Sequence, residues 1–565
     1  MALAGLFVAL LAFMPGAASG ESLEPKLAFD LVPGPSESYP EELSVVNGKL
    51  VMSATGNKQG EEPWSFNGTT AGQIGDIDPG TASSDPNEFT VLGDHAYFSA
   101  TTDANGTELY RTDGSTVQLV KDINPGPGSS SPRGFTQLGS SIYFRAETPG
   151  SGEELWKTNG TTTVQVSDLF PGVQGSNPSE FQRLGGHVYF RAETPVTGTE
   201  LYRTDGTSAT LVADIKPGVN PSSPRSLQTI GGHVYFTADD GVSGDEVWRT
   251  DGATTAQVAD VRPGAPGSSP DDYVAAGNWV YFTAENATSG EEPFRTSGAG
   301  AALVKDVNPG PADSEPEQMI ALGGQVLFEA YEPTHGSELW RSQGSSAAMV
   351  ADLRPGKRGS NPDELVVFDD AIYMSATTDG EGQELWRADL SGGALVADIV
   401  PGNDGSSPRE FTVFNGELYF TADDGTRGRE LWKLAVPEIP VEPDESVSID
   451  ILGKNLKLDR KGRTVLRLRC PVAEKSGPCS GKVKLSTKKK VRSGGRKRKV
   501  TFGNSSFSIA AGTTKTLRLK FKPPHRKLIA RNRAARSVLV QAGVKDTAGN
   551  TATVKRTLQA KGPSK

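Results

Sequence analysis

Between residues 25 and 434 short apolar runs alternate with glycine, asparagine and aspartate, and the same runs return at a fixed distance. From Phe89 to Asp122 they read EFTVLG, HAYFSA, ELYRTDG and VQLVKDI. Each is alternating or aromatic-rich and is bounded by turn-forming residues, which predicts four strands and no helix. A triplet of glutamate, apolar and aromatic residue begins at Glu62 and recurs at Glu108, Glu154, Glu200, Glu246, Glu292, Glu338, Glu384 and Glu430, always 46 residues apart. A column of aspartates preceding x-Pro-Gly runs from Asp30 to Asp398, and a column of prolines from Pro40 to Pro408, at the same spacing. Four strands per unit of this length predict the blades of a closed, all-β propeller, nine in number. Eight blades plus one extra unit is the alternative.

Connection lengths decide how the blades are cut. The first three links in a unit are hairpin-like, with Asp-Gly or Asn-Gly where both turn residues need positive φ. The fourth, NPGPGSSSPRG at 124–134, is the longest and is expected to cross between blades, its proline holding the preceding residue extended. The strand at 25–31 precedes any complete blade. It is predicted to close the ring as the outer strand of the last blade, beside 430–434, and so to remove exposed sheet edges. Strand direction then gathers the inter-blade loops and loops such as DDGVSG (239–244) on one face, which the longer, variable loops mark as the binding face.

The runs ELYRTDGSTVQLVKDINPG (108–126), ELWKTNGTTTVQVSDLFPG (154–172) and ELYRTDGTSATLVADIKPG (200–218) resemble the bacterial ELWxxDGT, or hyalin-type, repeat family. The resemblance covers about three quarters of the chain, residues 25–434. It implies a secreted or surface propeller and no established reaction. Units with Glu-Pro-Trp at 62–64 and Glu-Pro-Phe at 292–294 depart from the pattern, and proline there should remove one ladder donor.

The ends of the chain change the picture. Residues 1–20 hold an apolar stretch from Ala2 to Phe13, a Pro-Gly break and small residues suited to cleavage, the pattern of a signal peptide without its usual basic start. The stretch is too short to span roughly 30 Å of hydrocarbon, and no second one follows, so no transmembrane span is expected in the mature chain. Residues 435–444 read as a proline-rich linker. Residues 445–565 alternate as strands near 463–469, 500–509, 515–521 and 536–544, with a short helix near 525–535. The ending VKDTAGNTATVKRT resembles the last hairpin of bacterial immunoglobulin-like domains, so a small β-sandwich is expected. Cys470 and Cys479 are the only cysteines, and in an exported protein so close a pair predicts a local disulfide.

Charge divides sharply between the two parts. Residues 441–565 carry 32 Lys and Arg against 7 Asp and Glu, a formal +25, and the first 440 residues carry 26 against 61, a formal −35. The run KKKVRSGGRKRK (488–499) concentrates Lys488, Lys489, Lys490, Arg492, Arg496, Lys497, Arg498 and Lys499, an expected contact for anionic polymers. Sparse aromatics in the tail, together with export, speak against nucleic acid.

Residues that recur every 46 positions serve every blade, and the aromatic column holding six of the seven tryptophans reads as packing between blades. Trp279 stands outside that column and is a candidate ligand contact. So are His335, in EPTHGSE, and the loop carboxylates Asp239, Asp240, Asp423 and Asp424. The aspartate column, exemplified by Asp122, is expected to accept N–H bonds from the adjoining loop at Asn105-Gly106, with calcium held by Asp122 and Asn105 as the other use of those oxygens. No other cofactor is implied. Nothing in the sequence assembles a catalytic group, so the reading is a non-catalytic extracellular binding or display protein, facing an envelope polyanion, a glycan or an extracellular protein. A propeller hydrolase or lyase acting on polysaccharide is the alternative.

Overall fold

The computed structural model describes residues 23–435, 447–471 and 478–561, except 58 and 548. The expected leader lies outside the described residues, as does the expected linker beyond Ala435. The chain divides into two compact units, Met1–Pro437 and Glu438–Lys565.

The first unit is a β-propeller of nine four-stranded antiparallel sheets. Blade 4 is typical: Ser179–Leu184, His187–Thr194, Gly198–Thr204 and Ala209–Ala213, hydrogen-bonded in chain order from the inner to the outer strand. Counting from Glu41, the inner strands open blades 1 to 9 at 41, 87, 133, 179, 225, 271, 317, 363 and 409. Each inner strand lies beside those of its two neighbours, and Glu41–Val46 lies beside Arg409–Phe414, so the ring is closed. Blade 9 takes its outer strand, Glu24–Phe29, from the start of the chain, with Leu27 opposite Trp432. The expected closure and count are therefore those observed.

Burial explains the sequence pattern. Val188, Tyr189 and Phe190 are buried in succession, because the second strand of a blade is covered on both faces by neighbouring blades. The core is accordingly a set of layers between blades: Tyr143 and Leu155 of blade 3 pack with Val188, Phe190 and Tyr202 of blade 4. The last layer joins Phe414, Tyr419 and Leu431 to Leu50, Met52 and Phe66 of blade 1. Tight turns at the lower face have positive φ at both central residues, as at Asn47 (50°) and Gly48 (71°). Pro63 and Pro293 coincide with short outer strands in blades 1 and 6, Ala71–Gln73 and Ala302–Leu303. Blade 3 is as short as blade 1 without a proline, so the missing donor is not the sole cause.

One expectation fails throughout. The residue before each column proline is not extended but left-handed, from Asp85 and Asn361 at φ 45° to Asn177 at 49°. The cause lies one residue earlier, in a column of fully buried serines, Ser38 to Ser406. The Ser84 carbonyl accepts the N–H of Thr101 at 2.7 Å while its hydroxyl donates to Glu62, and the same pair of bonds recurs around the ring. A backbone pinned on both sides must turn sharply, and tertiary contacts override the local preference of a pre-proline residue.

The second unit is a β-sandwich around one apolar core. Its layers are a three-stranded sheet containing Asp450–Leu452, Arg463–Arg469 and Thr514–Lys520, and a five-stranded sheet built on Cys479–Thr487, Thr501–Ile509, Ser537–Lys545 and Thr551–Lys561, with Asn455–Lys457 at its edge. A helix, Pro523–Arg531, leads from one layer toward the other. The Cys470–Cys479 disulfide ties the end of Arg463–Arg469 to the start of Cys479–Thr487, and so links the two sheets.

Candidate functional site

On the upper face of the propeller the loops are held by the glutamates of the repeat triplet. Glu108 is fully buried and accepts the N–H groups of Ile123, Asn124 and Ser130 at 2.7, 3.2 and 3.0 Å, and the Ser130 hydroxyl at 2.6 Å. Each blade repeats this clamp. In the last, Glu430 accepts Leu31 N–H and the Ser38 hydroxyl, both at 2.7 Å, across the join between the two ends of the propeller array. Burial raises the pKa of all nine clamp glutamates, to about 7 at Glu292 and Glu430. A protonated clamp keeps its bonds, since the acid can donate to the serine hydroxyl it otherwise accepts from.

This limits the expected role of the aspartate column, in which Asp306 accepts the Gly310 N–H at 3.3 Å but Asp122 does not act as expected. Glu108 takes the N–H groups of the inter-blade loop, and one Asp122 carboxylate oxygen is buried without a partner. Asn105 donates its own N–H to Thr102 and makes no bond with Asp122. Among the described residues no group of three or more His, Cys, Asp or Glu is arranged to hold a metal ion.

A second ring escaped the sequence reading. Residues 42, 88, 134, 180, 226, 272, 318, 364 and 410 occupy a bulge in each inner strand, and all have φ between 54° and 71°. Neighbouring blades are linked there: Glu42 N–H donates to Glu410 at 2.9 Å, Glu88 N–H to Glu42 at 3.0 Å and Glu410 N–H to Glu364 at 3.2 Å. These carboxylates offset left-handed strain with inter-blade bonds. At blade 3 the position is Gly134, where a Cβ would stand 2.8 Å from the Phe181 ring.

Above this girdle the symmetry breaks. Position 133 pairs Arg133 with Arg145 across the first two strands of blade 3, and Glu153 bridges both, at 3.5 Å to Arg145. Arg191 and Arg225 continue this basic sector into blades 4 and 5. The same positions in blade 7 place Glu317 opposite Glu329, with Asp271 in blade 6 and Asp363 in blade 8, and Asp272 of the girdle lies next to Asp271 in sequence. Burial, then Glu317 and Asp363, push Glu329 up to about 7. Asp272 is raised to about 6, first by the protein walls around it and then by Asp271 and Glu317, although its side chain still meets solvent. Aligning the 46-residue units and asking which columns change charge would have exposed this sector.

The singled-out residues do not converge. Trp279 begins a second strand at the lower face, and the Arg295 guanidinium stacks 3.9 Å above its ring. His335 lies in the upper loop of blade 7, bonded through Nδ1 to Glu332 and 3.9 Å from Asp352. Asp239 pairs with Lys216 at 2.5 Å, and Asp240 accepts from Val242 and Ser243 of its own loop. Asp423 and Asp424 do the same for Gly425, Thr426 and Arg427. These carboxylates are engaged in shaping loops. In the sandwich, Val491–Ser493 and Arg496–Arg498 form a hairpin that leaves Lys488, Lys489, Lys490, Arg492, Arg496, Lys497, Arg498 and Lys499 exposed.

No known family's sequence profile matches the chain, and no curated protein matches it. Among solved structures it is similar to a Mycobacterium tuberculosis puromycin-hydrolyzing peptidase (11% identity, TM-score 0.33, 60% of this chain and 58% of the other). It is also similar to a prolyl endopeptidase (11%, 0.34, 65% and 53%) and a Xanthomonas campestris xyloglucanase (13%, 0.28, 94% and 81%). The chain spans little more than half the length of the two peptidases.

Proposed function

We propose that this protein is a non-catalytic extracellular binding or surface-display protein of the ELWxxDGT type. Its propeller presents the loop face to a carbohydrate, protein or calcium-bridged partner, and the basic sandwich attaches it to anionic polymers of the cell envelope. The observation that carries this reading is the unpaired cationic surface of the sandwich. Among its described residues, only Arg463 and Arg469 form ion pairs, with Asp459 and Asp450. A disulfide between Cys470 and Cys479 suits the oxidising compartment that export implies. The test is co-sedimentation of the full mature chain, and of a chain ending at Pro437, with isolated envelopes across a salt series. The full chain should pellet at low salt and the truncated chain stay in solution; equal behaviour would refute attachment through the sandwich.

A specific observation favours one rival. Glu317 and Glu329 face each other across adjacent strands, and Glu329 is raised to about 7, an arrangement that offers an acid beside a carboxylate. A hydrolase acting on polysaccharide would lose turnover on Glu329→Gln with its fold intact. No turnover of acidic or neutral glycans by the wild-type chain would remove this reading.

A further inference from the structure

The hairpin at 488–499 is the most conspicuous basic feature of the sandwich, but it forms no cavity. A cleft of about 660 Å³ lies elsewhere, between the start of the helix Pro523–Arg531 and the turn before Arg463–Arg469. Arg460, Lys461, Lys520, Lys522 and Arg526 line it around Phe521 and Pro523. Five cations share this space, and no carboxylate is among the lining residues. The acidic residue next in sequence, Asp459, is bound to Arg463 at 2.7 Å. Arg526 is fixed by a 2.8 Å bond from Nη1 to the Arg460 carbonyl and packs over Gly462, where a Cβ would stand 2.3 Å from its side chain. Its Nε is buried without a partner. Cations gathered and partly immobilised in this way repel one another until an anion arrives.

The cleft also opens onto a track. Lys520 is opposite Arg463 on the outer face of the three-stranded sheet, and Arg518 is two residues along the same strand, at a rise of about 7 Å. Arg467 follows on the neighbouring strand. A tetrahedral, multiply charged oxyanion can meet several converging donors at once, including an arginine fork, whereas a planar carboxylate offers only two oxygens. We propose that this cleft seats a phosphate group of an anionic polymer whose successive phosphates lie along the adjoining sheet. The assignment rests on the attachment reading above and gives it a discrete site and a ligand chemistry.

The test compares two full-length variants that each lose three charges: Lys461→Gln/Lys520→Gln/Lys522→Gln in the cleft, and Lys488→Gln/Lys489→Gln/Lys490→Gln in the hairpin. All six side chains are exposed, so both variants should melt like the wild type. Tripolyphosphate and long-chain polyphosphate are titrated at several salt concentrations, alongside polygalacturonate and phosphatidylglycerol vesicles. The cleft variant should lose at least tenfold in polyphosphate affinity with a shallower salt dependence, and the hairpin variant less than threefold. Polygalacturonate binding should not distinguish the variants. Equal losses from the two variants, or no polyphosphate binding by the wild type, overturn the site. Cleft-dependent binding to vesicles but not to polyphosphate overturns the polymer. Equal losses in a protein that still pellets with envelopes overturn the cleft alone and leave attachment standing.

Discussion

Replacing Glu430 by alanine should detach the first strand from a ring that otherwise stays folded. The Glu430 carboxylate holds Leu31 N–H and the Ser38 hydroxyl in a fully buried site. At pH 8, where Glu430 with its pKa of about 7 is ionised, two bonds to a charged acceptor contribute about 1.5–3 kcal/mol each, and water entering the space left behind recovers part of that, so a loss of about 3 kcal/mol is expected. The segment that Glu430 clamps is tethered to the ring only through the chain that follows it. Its opening equilibrium should therefore rise by roughly 100-fold, at about 1.4 kcal/mol per decade. Limited trypsin cleavage after Lys26, followed by mass spectrometry under native conditions, reads that equilibrium directly. Glu200→Ala is the control. It removes the same type of clamp from Ile215 and Ser222, in a loop held at both ends by strands, so it should lower the urea midpoint without releasing the strand around Lys26. If Lys26 is cut no faster in Glu430→Ala than in Glu200→Ala, the clamp is not what holds the ring shut.

Three further outcomes follow from the same structure. Glu292 and Glu430 have folded pKa values raised from 4.5 to about 7, so their contribution to stability is full below 4.5 and is lost as pH rises through about 7, and the other clamp glutamates are shifted in the same direction; the urea midpoint of the propeller should be higher at pH 5 than at pH 8, and an equal or lower midpoint at pH 5 would contradict this. Glu329→Gln should leave stability unchanged at pH 5 and raise the midpoint at pH 8, because it removes a charge that faces Glu317; unchanged melts at both pH values would show that the pair does not repel. Reducing the Cys470–Cys479 bond should destabilise the sandwich by about 2.5–3 kcal/mol, the loop-closure entropy of so short a link, and leave the propeller transition in place, as calorimetry with and without reductant would show.

The repeat made the propeller legible because Glu62 to Glu430 and Pro40 to Pro408 never lose register. Even the closing strand could be placed, since an outer strand preceding the first blade has no other partner. What the glutamates do could not be read, because Glu108 meets Ser130 only after the inter-blade loop has folded back over 22 residues. The left-handed residues before the prolines were hidden for the same reason: local preference favours extension, and the buried serines overrule it. The girdle at positions 42 to 410 varies among glutamate, glycine, serine, aspartate and glutamine, so identity conceals what position reveals. In the tail, the strand Cys479–Thr487 was missed although its valine and leucine alternate with lysines, because flanking charge masked a buried face. Trp279 was singled out for rarity, but rarity says nothing about which face of the ring a side chain occupies or that Arg295 covers it.

The borrowed outer strand of blade 9 also sets a timetable for synthesis. Glu24–Phe29 leaves the ribosome before the other strands of the ring and cannot pair until its partner, Arg429–Ala435, emerges roughly 400 residues later, an interval of about 20–80 s at ordinary elongation rates. Through that interval the nascent array carries a lone strand at one end, and the sheet edge that receives it appears only when the last blade is made. Pro25 and Lys26 make the waiting strand a poor template for indiscriminate pairing. The edge it awaits, however, cannot distinguish this strand from the identical one on a second nascent chain. Crowded translation of one message is thus a route to strand-exchanged pairs, in which each ring is completed by its neighbour's first residues.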